Sequence, residues 1–237
     1  MPHDFTRQIR DDYLSGGGFF GRFIYPYQEE LKKSAFFLRT MEEFVEESEG
    51  TEVSELEKGL SNLLPAAQDE FWQVHYPMHW QEIFSNRIRA AFIMQLCSFL
   101  EGEMSEVCER ISIIAASPIK VNDLRGSTLT KPRKFLGAFG NLEKPSEENW
   151  TIQERIFDVR NVMVHEGGFA GTYRNYKKMV DFAAAVPGLS FSNGHVEVRR
   201  EFCEYCLDSV TKFCDELHAA YEAYRERAFA MHKLDVR

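Results

Sequence analysis

The chain reads as an all-α protein carrying one small β-hairpin, and three observations predict it. Apolar residues recur at threes and fours through most of the 237 residues. Hydrophobic content of 44% with 20 Phe supplies a bulky core. A single alternating stretch surrounds an Asn-Gly turn, and no second strand signal follows it.

Residues 1–26 hold Gly16-Gly17-Gly18 and Gly21 among Phe19, Phe20 and Tyr25, an irregular aromatic segment. They lack the Gly-Lys-Ser/Thr ending of a phosphate-cradling loop. From Glu29 to about Glu47, the spacing of Leu31, Phe36, Phe37, Leu38, Met41 and Val45 predicts an amphipathic helix. Glu49-Gly50-Thr51 should end it, with Thr51 or Ser54 capping a second helix that reaches Leu64 before Pro65. A third stretch, Ala66 to His75, runs into Tyr76-Pro77, where the residue preceding proline leaves helical geometry.

The longest helix is expected next. Ile83, Ile88, Phe92, Leu96, Leu100, Met104, Val107 and Ile111 form one apolar stripe that ends before Pro118. An exposed loop to Arg133, short helices at about 134–139 and 150–165, and a helix over 173–185 follow. Leu189–Ser192 and His195–Val198 flank Asn193-Gly194 as the hairpin. A final helix from Arg199 to about Arg227 closes the chain. Residues 1–77 read as an N-terminal irregular segment with a helical extension, and residues 78–237 as the main bundle.

The run Ala90–Leu100 is too short to span a bilayer, and the first residues begin no charged-then-apolar leader, so a cytoplasmic protein is expected. Five cysteines, an odd count, fit reduced thiols. Cys203, Cys206 and Cys214 share a helical stripe, which favours buried apolar cysteine over zinc, and Pro77 interrupts the pair His75 and His79; no cofactor is called for. A net charge of −9 argues against broad binding of long nucleic acid. Eight glutamates between Glu42 and Glu57 read as a solvated helical face.

One stretch carries chemistry. Arg160-Asn161-Val162-Met163-Val164-His165 places a permanent cation, an amide and an imidazole within two turns, and Gly167-Gly168 stops the helix. Asn161 and His165 are four apart and share a face. Ile152, Ile156, Val159 and Met163 are expected to face the core. With 17 Arg, 7 His and 8 Asn, an Arg-Asn pair with His at this spacing arises by chance about once in sixty such chains.

This motif resembles the signature of the HEPN superfamily, an Arg, often followed by Asn, then His after four to six residues. A long preceding helix, a basic loop, Trp150 opening the motif helix and a terminal helix entered from a hairpin are similar as well, over roughly residues 78–230. The resemblance implies a homodimeric helical bundle with a composite cleft. In many members it implies a metal-independent endoribonuclease acting as a prokaryotic toxin or antiviral defence protein; in others, a catalytically silent module that binds a nucleotide or partner protein as sensor or scaffold.

In that frame Arg160, Asn161 and His165 are the catalytic candidates, and Glu101 on the long helix is the acidic candidate. Lys131, Arg133, Lys134 and Arg174 are candidate contacts to the RNA backbone. A regulatory or antitoxin partner belongs to the same picture. Members silenced by a nucleotidyltransferase usually carry Tyr two residues after the His. Gly167 stands there in this chain, and Tyr173 is too distant in sequence to match that pattern.

Overall fold

The computed structural model describes residues 27–61, 63–77, 79–140 and 145–235. The glycine- and aromatic-rich segment 1–26 lies outside the described residues. The described chain is mostly helical with one two-stranded antiparallel sheet, the all-α class that its periodicity predicts. In order it forms α1 (Tyr27–Leu60), α2 (Pro65–His75), a π-helical turn (Trp80–Ser85) and α3 (Asn86–Ile114). A 3₁₀ turn (Val121–Asp123), α4 (Thr130–Phe135), a second π turn (Leu136–Gly140) and α5 (Glu147–His165) follow. The chain then runs through α6 (Tyr176–Ala183), β1 (Leu189–Ser192), β2 (His195–Val198) and α7 (Arg200–Asp235).

Two expectations about helix boundaries need correction. The break at Glu49-Gly50-Thr51 does not occur; α1 is continuous for 34 residues. Thr51 turns its hydroxyl inward instead of capping, donating to the Glu47 carbonyl at 2.8 Å, so its side chain joins the helix it was expected to start. Nor is the 29-residue α3 the longest helix, because α7 runs for 36. Elsewhere local chemistry acts as read: Pro65 opens α2, where its missing N–H costs nothing, and Pro77 closes it.

The helices divide between two compact units, to both of which α1, α3, α5 and α7 contribute. In the first, the described residues are 27–31, 96–140, 145–157 and 207–235. Its core holds Leu100, Met104, Val107 and Ile111 from α3, Phe135 from α4, Ile156 from α5, and Phe213 and Leu217 from α7, all buried. Trp150 meets Phe213 edge-on at 4.7 Å, a favoured aromatic geometry.

The second unit contains residues 32–95, excluding the undescribed ones, and 158–206. Leu38, Val45, Phe92, Ile93, Val159, Val162, Met179, Val196, Val198 and Phe202 form its core. The glutamate-rich face of α1 is solvated in part; Glu49 and Glu52 are half-buried and take hydrogen bonds from Tyr76 and Trp80. Glu42 is buried and accepts both Nε and Nη2 of Arg89 at 2.7 Å. The hairpin pairs Leu189 with Val198 and Ser192 with His195. Asn193 and Gly194 have φ of +49° and +81°, the paired left-handed geometry of a type I′ turn. Val198 is tied further, its N–H to Asn86 Oδ1 at 3.4 Å and its carbonyl to Arg89 at 3.3 Å.

All five cysteines are buried, and none forms a disulfide among the described residues. Burial pushes the Cys108 thiol up to about 12 and raises Cys203 and Cys214 as well. The stripe on α7 is therefore core, as its spacing predicts. Among the described residues, no helix is long and apolar enough to cross a membrane.

Candidate functional site

The end of α5 is anchored by what its inner face buries. Ile156, Val159 and Val162 are fully enclosed, while Met163, expected inside, is only half-buried. The buried stripe is thus turned by one residue from the expected one. Arg160 and Asn161 lie half-buried at its edge and His165 is exposed.

Glycine stops the helix immediately after His165. Gly167 and Gly168 have φ of +58° and +86°, where a side chain would be strained. The Val162 carbonyl accepts the N–H of Glu166 at 3.1 Å and of Gly168 at 3.0 Å, closing the terminus. The chain then pairs with the hairpin. Val196 N–H reaches the Gly168 carbonyl at 2.9 Å, and Ala170 N–H reaches Gly194 at 2.7 Å. Phe169 stacks edge-on against His195 at 5.2 Å. Through these bonds the hairpin fixes the course of the chain just beyond His165.

The polar residues form two groups of hydrogen bonds, one at Arg160 and one at Asp158. Arg160 Nη1 donates to Asn161 Oδ1 at 3.0 Å. Tyr173 donates its hydroxyl to Asp158 Oδ1 at 3.2 Å. Asn175 Nδ2 donates to both Asp158 oxygens, at 3.0 and 3.1 Å. Burial dominates the Tyr173 phenol and, with the Asp158 carboxylate, holds it above its usual range despite the opposing Arg174 charge.

Arg160 is otherwise uncommitted. Among the described residues it makes no ion pair, and its Nε is buried without a hydrogen-bond partner. His165 likewise has no hydrogen-bond partner among the described residues.

The remaining candidates fall differently. Arg174 is exposed, in the same unit as the motif. Glu101, Lys131, Arg133 and Lys134 belong to the other unit. Glu101 is half-buried on α3. Arg133 is engaged by Glu147 and by Glu154 at 3.6 Å, and lies over the Trp150 ring at 5.8 Å, so its charge is already balanced. Lys134 Nζ donates to the Arg125 carbonyl at 3.1 Å, and Lys131 is half-buried.

Three residues that meet here, Asp158, Tyr173 and Asn175, were not among the candidate site residues. Asp158 stands two places before Arg160, a visible hint. Tyr173 and Asn175 were expected in the first turn of a helix over 173–185; the helix begins at Tyr176 instead, so only the folded chain reveals where they sit. Comparison with protein-family models, curated proteins and solved structures finds no match to this chain. The chemistry must be argued from the arrangement itself. A guanidinium with an unsatisfied edge is suited to an anionic oxygen, and a nearby exposed imidazole is suited to proton transfer near neutral pH.

Proposed function

We propose that the end of α5 is the catalytic site of a metal-independent, HEPN-like endoribonuclease that works as a homodimer, in the manner of a prokaryotic toxin or antiviral defence effector. The observation that carries this reading is Arg160: an arginine in a strongly acidic chain, held by an amide and left without a carboxylate among the described residues, with its Nε unsatisfied there. An unpaired buried donor is costly, and a phosphate oxygen would satisfy it.

RNA needs little more than this. Its 2′-hydroxyl already stands beside the phosphorus, so proton transfer and charge stabilisation suffice. His165 takes the 2′-hydroxyl proton as that oxygen attacks phosphorus. The bond to the 5′-oxygen breaks, and that oxygen is protonated by the second copy's imidazolium, leaving a 2′,3′-cyclic phosphate and a 5′-hydroxyl. Arg160 holds the phosphate as negative charge builds. Val164 and Phe169, apolar and exposed on either side of His165, are surface that a second copy would cover. Arg174 serves as a contact to the flanking backbone.

The test is incubation of purified protein with mixed RNA in EDTA, followed by inspection of the 3′ ends. Cyclic phosphate that disappears in His165→Ala and Arg160→Ala proteins supports the reading, as does expression toxicity relieved by His165→Ala. Intact RNA across many substrates, with no toxicity, sinks it. One observation favours a second reading, a catalytically silent module binding a nucleotide or partner protein: among the described residues His165 lacks the orienting partner that catalytic imidazoles usually have. Nucleotide binding without cleavage in the same assay would select it.

A further inference from the structure

Just beyond His165 the chain pins an exposed aromatic ring. Phe169 is 37% exposed, yet its ring has little room to turn. A Cβ built at Gly171 would lie 2.6 Å from its Cζ, and one at Gly194 would lie 2.8 Å from its Cε2. The ring thus fills space that two side chains would take. Gly194 serves its turn, but Gly171 has no left-handed φ, and the ring is what keeps a side chain out there. His195 meets the ring edge-on at 5.2 Å, and the two backbones form a β-bridge. The Phe169 N–H donates to the carbonyl of Glu166, the neighbour of His165, at 3.0 Å, so ring and imidazole belong to one tight turn.

Charge points the same way. From Gly167 to Val180 the chain carries Arg174, Lys177 and Lys178 and no acid, in a protein of net charge −9. All three cations are exposed, and none makes an ion pair among the described residues. An aromatic surface followed by unpaired cations suits single-stranded nucleic acid. Unpaired bases stack on the ring while the cations track the phosphates, and a base paired inside a duplex cannot reach it.

We propose that Phe169 is a base-stacking platform and that the segment 169–178 selects single-stranded RNA. The inference rests on the reading of the α5 end as an RNA site, and it names the form of RNA taken there. Arg160 holds the phosphate, Phe169 carries a neighbouring unpaired base, and Arg174, Lys177 and Lys178 hold flanking phosphates. A second copy closing over this end covers the ring with the base already on it.

The experiment uses the full-length protein and a fluorescein-labelled 2′-O-methyl oligonucleotide, single-stranded or annealed to its complement. Neither probe has a free 2′-hydroxyl to attack phosphorus, so neither is cleaved. Anisotropy gives the affinities, and the same variants are assayed on unmodified RNA. Wild type should favour the single strand. Phe169→Ala should weaken single-strand binding about tenfold, the scale of one lost base–aromatic stack, and leave duplex binding unchanged. Phe169→Trp keeps a planar ring and should bind at least as tightly as wild type, whereas Phe169→Leu, apolar but not planar, should follow alanine. Gly171→Ala displaces the ring without removing it and should weaken the single strand alone. Lys177→Gln should weaken both probes and flatten the salt dependence.

Equal binding of the two probes by wild type, or single-strand affinity unchanged in Phe169→Ala, would overturn the proposal even if RNA is cleaved. Loss of the dimer in Phe169→Ala with the single-strand preference intact assigns the ring to the contact between copies and overturns it too. If wild type cleaves no RNA while the Phe169-dependent preference holds, the nuclease reading falls and the platform stands.

Discussion

Glu42 on α1 grips Arg89 on α3 with both carboxylate oxygens, each at 2.7 Å, and both side chains are almost fully enclosed. The bonds to Glu42 raise the Arg89 pKa above its ordinary value, so the guanidinium stays charged. Removing one partner strands a buried charge. Glu42→Gln and Arg89→Met should each cost about 3–5 kcal/mol, and the double variant less than the sum. A double-mutant cycle by urea unfolding measures this. Arg89→Met should be the more damaging single change, because it also releases the Val198 carbonyl.

Asp158 collects bonds from Tyr173 and Asn175 inside the second unit. Asp158→Ala should destabilise the fold by about 1–3 kcal/mol, since it leaves buried donors unsatisfied. His165→Ala should leave stability unchanged within about 0.5 kcal/mol, because the ring is exposed and makes no hydrogen bond among the described residues. Thermal melts of the two variants check the contrast. They also establish whether lost cleavage in His165→Ala reflects chemistry.

Two glycines with positive φ should respond differently to alanine. At Gly167 an added Cβ meets open space, so the cost is backbone strain alone, about 1–2 kcal/mol, with Asn better tolerated than Ala. At Gly188 the Cβ would lie 2.5 Å from the Phe202 nitrogen, a backbone atom that cannot swing aside. Gly188→Ala should therefore be the more destabilising, as denaturant midpoints will show.

The thiols should be inert in the folded protein. Burial disfavours thiolate, holding Cys108 at about 12 against an ordinary 9.0. Thiol reagent at pH 8 should label the native chain slowly and the denatured chain at all five positions. The same shift links to stability. Below about pH 9 the thiol is neutral in both states and nothing is lost. As pH rises from 9 toward 12 the unfolded state ionises first and stability falls, which alkaline unfolding curves test.

Much of the fold was legible because its signals are local. The stripe through Phe92, Leu96 and Leu100, the Pro65 start, the Asn193-Gly194 turn and the Gly167-Gly168 stop each depend on residues within a turn or two. Continuity of α1 through Gly50-Thr51 was not, since a hydroxyl that can cap a helix can equally bond back into one. Burial of Glu42 was hidden for another reason: its partner stands 47 residues away.

The sequence by itself determined the all-α class, the hairpin, the cysteine stripe and the grouping of Arg160, Asn161 and His165 at one helix end, because helical periodicity places neighbours without reference to the rest of the chain. Only the tertiary structure decided which polar groups meet. It brought Tyr173 and Asn175 back to Asp158, occupied Arg133 with two glutamates and Trp150, and left Arg160 without an acid among the described residues. The physical reason is that pairing buried polar groups is a global problem. Each donor takes the acceptor that packing leaves within reach, and no local pattern encodes that choice.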